Sequence, residues 1–295
     1  MTARNQLSCS SNRRIPIVYY EDFIMSIHIC NACGTSFPKS NNPPKNCPIC
    51  EDDRQYVPAD GQTWTTLENL VGSHSNMWKQ HEPNLYEIKT HPDFGIGQRA
   101  FLIRTPNDNI LWDCIALLDP ATEELIHALG GISAIAISHP HFYTTMQDWA
   151  HAFDAPVYLH KLDCEWVMRP DEKLIFWEGE SFEIGDGLSL IRTGGHFPGA
   201  TVLHWPQGAD GKGALLSGDV IQVAADNTRV SFMHSYPNML PLAAATVQRI
   251  GDTLELWDFD RIYGAFEGKT ILSGAKKAIK QSVSRYVELL EGHQI

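Results

Sequence analysis

Residues 134–149 read AIAISHPHFYTTMQDW, and the fold turns on how this stretch is parsed. The apolar run within Ile132–Ser138 has the length and β-branched content of a buried strand. His139 and His141 follow at its end, where strand-end loops commonly host catalysis. Two residues apart on extended backbone, both imidazoles point the same way, as a shared metal ion requires. Fifty-five residues after His141 comes His196, in RTGGHFPGATVLHW (192–205), a Gly-rich turn after the predicted strand Leu188–Thr193. A further predicted strand, ALLSGD (214–219), ends in Gly218-Asp219. A strand-end histidine or a Ser-Gly-Asp turn is commonplace alone. Their order along the chain is what carries information.

Working outward, the pattern from Trp64 to Leu290 is one of short apolar runs separated by Gly, Asn, Asp and Pro, with helical stretches between them. Further strands are predicted at Asn84–Thr90, Gln98–Arg104, Ile110–Cys114, Pro156–His160, Thr201–Trp205 and Arg261–Tyr263. Helices are predicted at Ala121–Leu129, Thr145–Phe153, Leu240–Trp257 and Ile271–Leu290. Interspersed strands and helices imply layered α/β packing. No fixed-period repeat or low-complexity tract interrupts it.

Composition sets the limits. The 295 residues, 43% of them hydrophobic, suffice for a sizeable core, and 20% charged is ordinary globular composition. A formal charge of -12, from 23 Lys and Arg against 35 Asp and Glu, repels phosphate backbones and argues against a nucleic-acid partner. No run reaches the roughly 18 apolar residues of a membrane span. The N-terminus has no apolar secretory segment; residues 1–25 read as a disordered leader, with a mitochondrial presequence as the alternative and Met25 as a second candidate start. A cytoplasmic protein acting on a small molecule is the expectation.

Four of the seven cysteines are clustered. Cys30-Asn-Ala-Cys33 and Cys47-Pro-Ile-Cys50 are two CxxC knuckles separated by thirteen residues. Each two-residue spacer lets both thiolates reach one ion, and two knuckles close a tetrahedral shell of four sulfurs. Residues 26–60 hold five of the 17 prolines and few large aliphatics, so this segment needs a metal to fold. HICNACGTSFPKSNNPPKNCPIC (28–50) resembles the rubredoxin-like module of rubrerythrins, down to the Pro-Pro before the second knuckle. The tetrahedral set suits Zn2+ or Fe, and a closed shell with no open position favours structural zinc. Cys9, Cys114 and Cys164 are left as free thiols.

Over residues 64–290 the motif order resembles the metallo-β-lactamase superfamily: a hairpin ending in Asp, an HxHxDH loop, a later His, a Gly-Asp turn and a final His. The resemblance implies a four-layer αββα sandwich spanning 61–295 behind the four-cysteine zinc-ribbon module of 26–60. It carries one metal site onto His139, His141 and His196, with Asp219 as the shared carboxylate. The second site is degenerate: Tyr143 and Thr144 stand where the family has Asp and His, and IYGAFEGK (262–269) offers Ala265 and Phe266 in place of the final His. Asp113 in LWDC matches the hairpin Asp without the Gly that follows it in the family.

The expected function is therefore hydrolysis with one active-site metal, zinc or iron, its substrate unspecified. Three imidazoles leave a zinc ion open to water, whose pKa such a site lowers from 15.7 to about 7. Asp219 is then a ligand or general base, and Tyr143 an oxyanion partner or an aromatic wall. His234 and Tyr236, in SFMHSYPN after the Gly-Asp turn, are substrate-binding candidates. Two alternatives stand beside this reading. One is a mononuclear iron oxygenase resembling persulfide dioxygenases; the other is a non-catalytic binding module with a vestigial site.

Overall fold

The computed structural model describes residues 25–292, so the leader, apart from Met25, and Cys9 lie outside the described residues. Ile29–Cys30 (β1) pairs antiparallel with Trp64–Thr65 (β2), closing a loop that holds both knuckles and the single turn Pro48–Glu51 (α1). Pro48 opens that turn where a missing N–H costs nothing. The pairing draws Trp64 and Thr65 into the cysteine segment, beyond residue 60. Leu67–Val71 (α2) leads into the first large sheet.

That sheet sets Ser75–Glu82 (β3), Leu85–His91 (β4), Arg99–Arg104 (β5), Asn109–Trp112 (β6), Ala134–Ala136 (β7), Val157–His160 (β8) and Leu174–Trp177 (β9) side by side in chain order. Strands β3 to β6 are antiparallel. From β6 to β9 they run parallel, which demands crossovers. Pro120–Ala128 (α3) and Met146–Phe153 (α4) make the first two. Asp119 starts α3 by accepting the Thr122 N–H at 2.7 Å, with Pro120 at the first helical position. In α4, Met146, Trp149, Ala150 and Phe153 fall on one face and bury it.

The second sheet follows: Ser181–Gly185 (β10), Leu188–Arg192 (β11), Thr201–Trp205 (β12), the turn Gly208–Gly211 (α5), and Ala214–Gly218 (β13). Two small ribbons come next, Gln222–Val223 (β14) with Val230–Ser231 (β15), and Met233–Ser235 (β16) with Leu240–Pro241 (β17). Ala244–Glu255 (α6), Arg261–Gly264 (β18), Thr270–Ile271 (β19) and Ala275–Leu290 (α7) complete the chain. The strand order is β10-β11-β12-β13-β18-β19, with β13 and β18 parallel.

Strand alternation sorts the apolar residues into three interfaces. Ala100, Leu102, Leu111 and Ile135 face α3 and α4. Their neighbours Phe101, Ile103, Ile110 and Trp112 meet Leu190, Leu203 and Leu216 between the sheets. On the far side Ile191, Val202, Leu215 and Ile262 pack against Val247, Ile250, Ile279 and Val283 of α6 and α7. The result is the four-layer αββα sandwich expected from the motif order.

Every predicted strand is present. Two predicted helices begin too early: Leu240–Pro241 and Thr270–Ile271 are strand, so the helices start at Ala244 and Ala275. Pro241 and Gly274 fall where the chain must turn before a helix can begin. Strand β3, SNMWKQHE, has no predicted counterpart. It is an edge strand whose residues are largely exposed, and it lacks the apolar alternation that marks its neighbours.

Candidate metal centres and the cavity beside them

Strand ends at one edge of the sandwich deliver four side chains to one point. His139 and His141 follow β7, His196 follows β11, and Asp219 follows β13. One ligand atom from each lies within 4.8 Å of all the others, and all four residues are buried. The imidazole centroids form a near-equilateral triangle, 5.0, 4.9 and 4.9 Å on a side. Phe197 underlies the triangle, 4.9 to 5.6 Å from each ring.

The backbone around the centre is built for close approach. Asp113, in the left-handed region at φ 58°, turns its carboxylate to accept the Ser138 N–H at 2.7 Å. A Cβ on Gly218 would come 2.6 Å from Ser138 Oγ, and its φ is +55°, so only glycine lets β13 approach the histidine loop. The Pro140–Phe142 turn, opened by a proline, swings His141 back beside His139.

Hydrogen bonds fix which nitrogen each ring offers. His196 Nδ1 lies 3.1 Å from the Met233 carbonyl, which can only accept, so Nε2 keeps its lone pair. His139 Nδ1 is 2.9 Å from Ser138 Oγ, leaving its Nε2 toward the centre. His141 Nδ1 lies 3.2 Å from His196 Nε2 and 3.4 Å from Gln55 Nε2. His139 Nε2 and Asp219 Oδ1 stand 3.1 Å apart, yet both are buried with no hydrogen bond, and His141 Nε2 is likewise unpartnered. Buried polar atoms are rarely left so, and His139 Nε2 and Asp219 Oδ1, side by side at the centre, are what a cation would satisfy.

Electrostatics agree with the geometry. Burial holds the three imidazoles below their ordinary pKa, His196 at about 4, so at neutral pH they are uncharged donors. Burial, with the Asp113 carboxylate nearby, pushes Asp219 up to about 8, and burial is the chief cause that lifts Asp113 and Asp163 to about 7. In metal-free protein the sign of the pH dependence follows from proton counts. Above about pH 6.5 the unfolded histidines are neutral like the folded ones, but the folded carboxyls keep protons that unfolded Asp has released. Stability should therefore fall between about pH 6.5 and 8, and thermal melts of chelator-treated protein check this. Metal-replete protein should show a flatter slope, because a cation stabilises the Asp219 carboxylate.

The second centre is the four-cysteine cluster. Cys30 Sγ lies 3.7 Å from Cys50 Sγ, and Cys33 Sγ 3.6 Å from Cys47 Sγ. A tetrahedral ion with bonds of about 2.3 Å sets sulfurs roughly 3.8 Å apart, so the four thiols already have the spacing of a metal shell. Hydrogen bonds within the cluster, the one with Cys33 first, hold Cys30 far below the ordinary thiol range. The bond with Cys30 chiefly pushes Cys33 and Cys50 far above it. Without a cation the cluster cannot ionise fully. Cys114 is a buried free thiol and Cys164 an exposed one.

A cavity of about 290 Å³ opens over the histidine centre, reached by His141, His196 and Asp219. Tyr236 lines it and donates its hydroxyl to the Asp219 carbonyl at 2.7 Å. His234 lies outside the lining and pairs with Asp53 at 3.0 Å. Tyr143 is buried in the core between the first sheet and its helices and is not among the cavity-lining residues. Phe266 lines the cavity and packs on Phe142.

Sequence reasoning missed Arg54, Gln55, Tyr56 and Gln222, all in the lining. The first three follow closely on Cys50, so the four-cysteine segment forms one wall of the cavity. Arg54 Nε donates to the His196 carbonyl at 2.8 Å, and its guanidinium sits 4.3 Å over Phe197. Ser36 donates to the Thr144 carbonyl from both its N–H and its hydroxyl, docking the segment on the loop that follows His141.

Solved structures that share this architecture include metallo-β-lactamases. VMB-1 superposes with a TM-score of 0.54 at 15% identity, over 71% of this chain and 95% of that one. DIM-1 gives 0.52 at 14%, over 70% and 98%, and the enzyme from Pontibacter korlensis 0.51 at 14%, over 74% and 100%. No family model matches the sequence. YmaE of Bacillus subtilis (strain 168), described as uncharacterized, is 49% identical over 268 residues, 90% of this chain and 97% of YmaE. The chain belongs to the YmaE family and has the metallo-β-lactamase fold. Among the described residues of this YmaE-family protein, no helix is long and apolar enough to cross a membrane.

Proposed function

We propose that this YmaE-family protein is a hydrolase of small molecules that uses one active-site ion, held by His139, His141, His196 and Asp219, with a structural zinc in Cys30, Cys33, Cys47 and Cys50. The observation that carries the reading is the convergence of four buried ligand atoms, one each from His139, His141, His196 and Asp219, within 4.8 Å of one another, with His139 Nε2 and Asp219 Oδ1 left without hydrogen bonds. When bound, such an ion supplies Lewis acidity and brings the pKa of water toward neutrality.

The chain's own residues do the rest. Ser138 and the Met233 carbonyl orient His139 and His196 so that each offers Nε2. Phe197 and Phe142 wall one side of the triangle with aromatic carbon and exclude water from it. Asp219 supplies the negative charge at the centre through Oδ1, 3.1 Å from His139 Nε2. Tyr236 braces Asp219 through its carbonyl and walls the substrate space. Zinc suits both donor sets, and the six free cysteines among the described residues favour a reducing, cytoplasmic compartment.

Elemental analysis of protein produced without added metal is the test, with two ions per chain expected. Three would restore a second active-site ion, and iron at the histidine centre would favour the oxygenase reading. Tyr143→Phe separates the two roles offered for that residue. Because Tyr143 does not line the cavity, its substitution should keep turnover within about threefold, whereas an oxyanion partner would cost about 10²–10³.

A further inference from the structure

The cavity contains one feature that holding an ion does not require. Arg54 is the only lysine or arginine among its lining residues, in a protein with net charge -12. Two of its three nitrogens are engaged, Nε with the His196 carbonyl at 2.8 Å and Nη1 with Asp52 at 2.7 Å. Those bonds and the Phe197 ring below fix the guanidinium plane, and Nη2 has no hydrogen-bond partner among the described residues. Across the same cavity Gln222 is also unsatisfied: its Oε1 is buried without a partner. A rigid cation with a free N–H edge and an unpaired amide, both beside the histidine centre, form a two-point recognition surface.

We propose that Arg54, carried by the four-cysteine segment and not by the sandwich, anchors a carboxylate of the substrate, with Gln222 reading a polar group next to it. The substrate is then a small monoanion whose carboxylate lies within a few bonds of the bond that is cleaved. The guanidinium already pairs with Asp52 through Nη1, so its Nη2 edge suits one further carboxylate and not a dianion. A phosphate dianion would call for further cations, and the lining offers none. This inference rests on the proposed metal centre, since the second anchor of the substrate is the ion.

The test uses full-length zinc-replete protein and hydroxamates as probes, because a hydroxamate ligates zinc whether or not the rest of the molecule is charged. Malonic, succinic and glutaric monohydroxamates are compared by titration calorimetry with butyrohydroxamate, which lacks the carboxylate. Wild type should bind the best of the three at least about tenfold tighter than butyrohydroxamate at low salt. Arg54→Gln should abolish that preference, read as the ratio of its own affinities for the two ligands so that any loss common to both cancels, and Arg54→Lys should keep part of it. No preference in wild type, or a preference that survives in Arg54→Gln, would overturn the anchor and leave the metal centre standing. Failure of every hydroxamate to bind, with no metal at the histidine centre by elemental analysis, would overturn the metal reading and the anchor together. Should Arg54→Gln fail to fold, the wild-type comparison and Arg54→Lys decide the matter.

Discussion

Cys47→Ser should lower the melting temperature by about 10 °C or more and should also weaken substrate binding. The first effect follows from how little else holds the segment together. Its core consists of the four cysteines, Phe37 and Ile49, with Ala32, Trp64, Ile96, Trp166 and Met168 at the edge. A zinc site of four thiolates contributes roughly 10–16 kcal/mol in isolated peptides. Losing even a third of that is worth about 10 °C, at roughly 2–4 °C per kcal/mol for a chain of this size. The second effect follows from where the segment ends. The Cys47 carbonyl accepts the Glu51 N–H at 3.1 Å, and the chain runs straight on to Arg54 and Gln55 in the cavity wall. Loosening that turn removes the wall, with its Arg54 and Gln55 contacts to His196 and His141, but none of the four side chains that converge on the centre. The histidine centre should therefore keep its metal in the folded fraction while KM rises. Thermal melts, metal counts and Michaelis kinetics on the same preparation check this, and an unchanged melt would show that the cluster holds no metal.

What can be read in the sequence divides along a physical line. Strands buried on both faces, such as Arg99–Arg104 and Ala134–Ala136, announce themselves as continuous apolar runs because both sides meet a core. The edge strand Ser75–Glu82 has solvent on much of its surface, and nothing in its composition separates it from a loop. The histidine centre is legible because its members sit at strand ends in a recognisable order. The position of Tyr143 is not, since the turn at His139–Phe142 and the positive φ of Thr144 send its side chain into the core. Arg54 and Gln55 are legible only as residues after a knuckle. Their role depends on docking between two segments, through Ser36 on Thr144 and Asn238 on the Asp53 and Gln55 carbonyls, and no local pattern encodes such a contact.

That docking also shapes the loop next to the histidine centre. Thr144 lies under Ser36, and Phe266 packs against Phe142, beside the histidine centre. Packing and a neighbouring segment fill this position with uncharged groups. Fewer charged groups are then left to satisfy in the interior.

His196→Ala should remove both the histidine-centre ion and turnover while the protein stays folded. The fold should survive because the contacts that seat this loop are made by backbone: Arg54 Nε on the His196 carbonyl, and the Thr193 and Gly194 N–H groups on the Ala200 carbonyl. The ion should go because the substitution deletes one of three neutral nitrogens and leaves a void above Phe197. Removing a single electrostatic donor from an active site costs about 10²–10³ in turnover. Here the loss takes the whole ion with it, so the fall should exceed about 10³. Elemental analysis should read one metal per chain, the ion of the four cysteines, and the melting temperature should match that of wild type stripped of its histidine-centre ion alone. Turnover retained in a variant that has lost the second ion would remove the metal mechanism altogether, and a second ion still bound would show that His196 is not among its ligands.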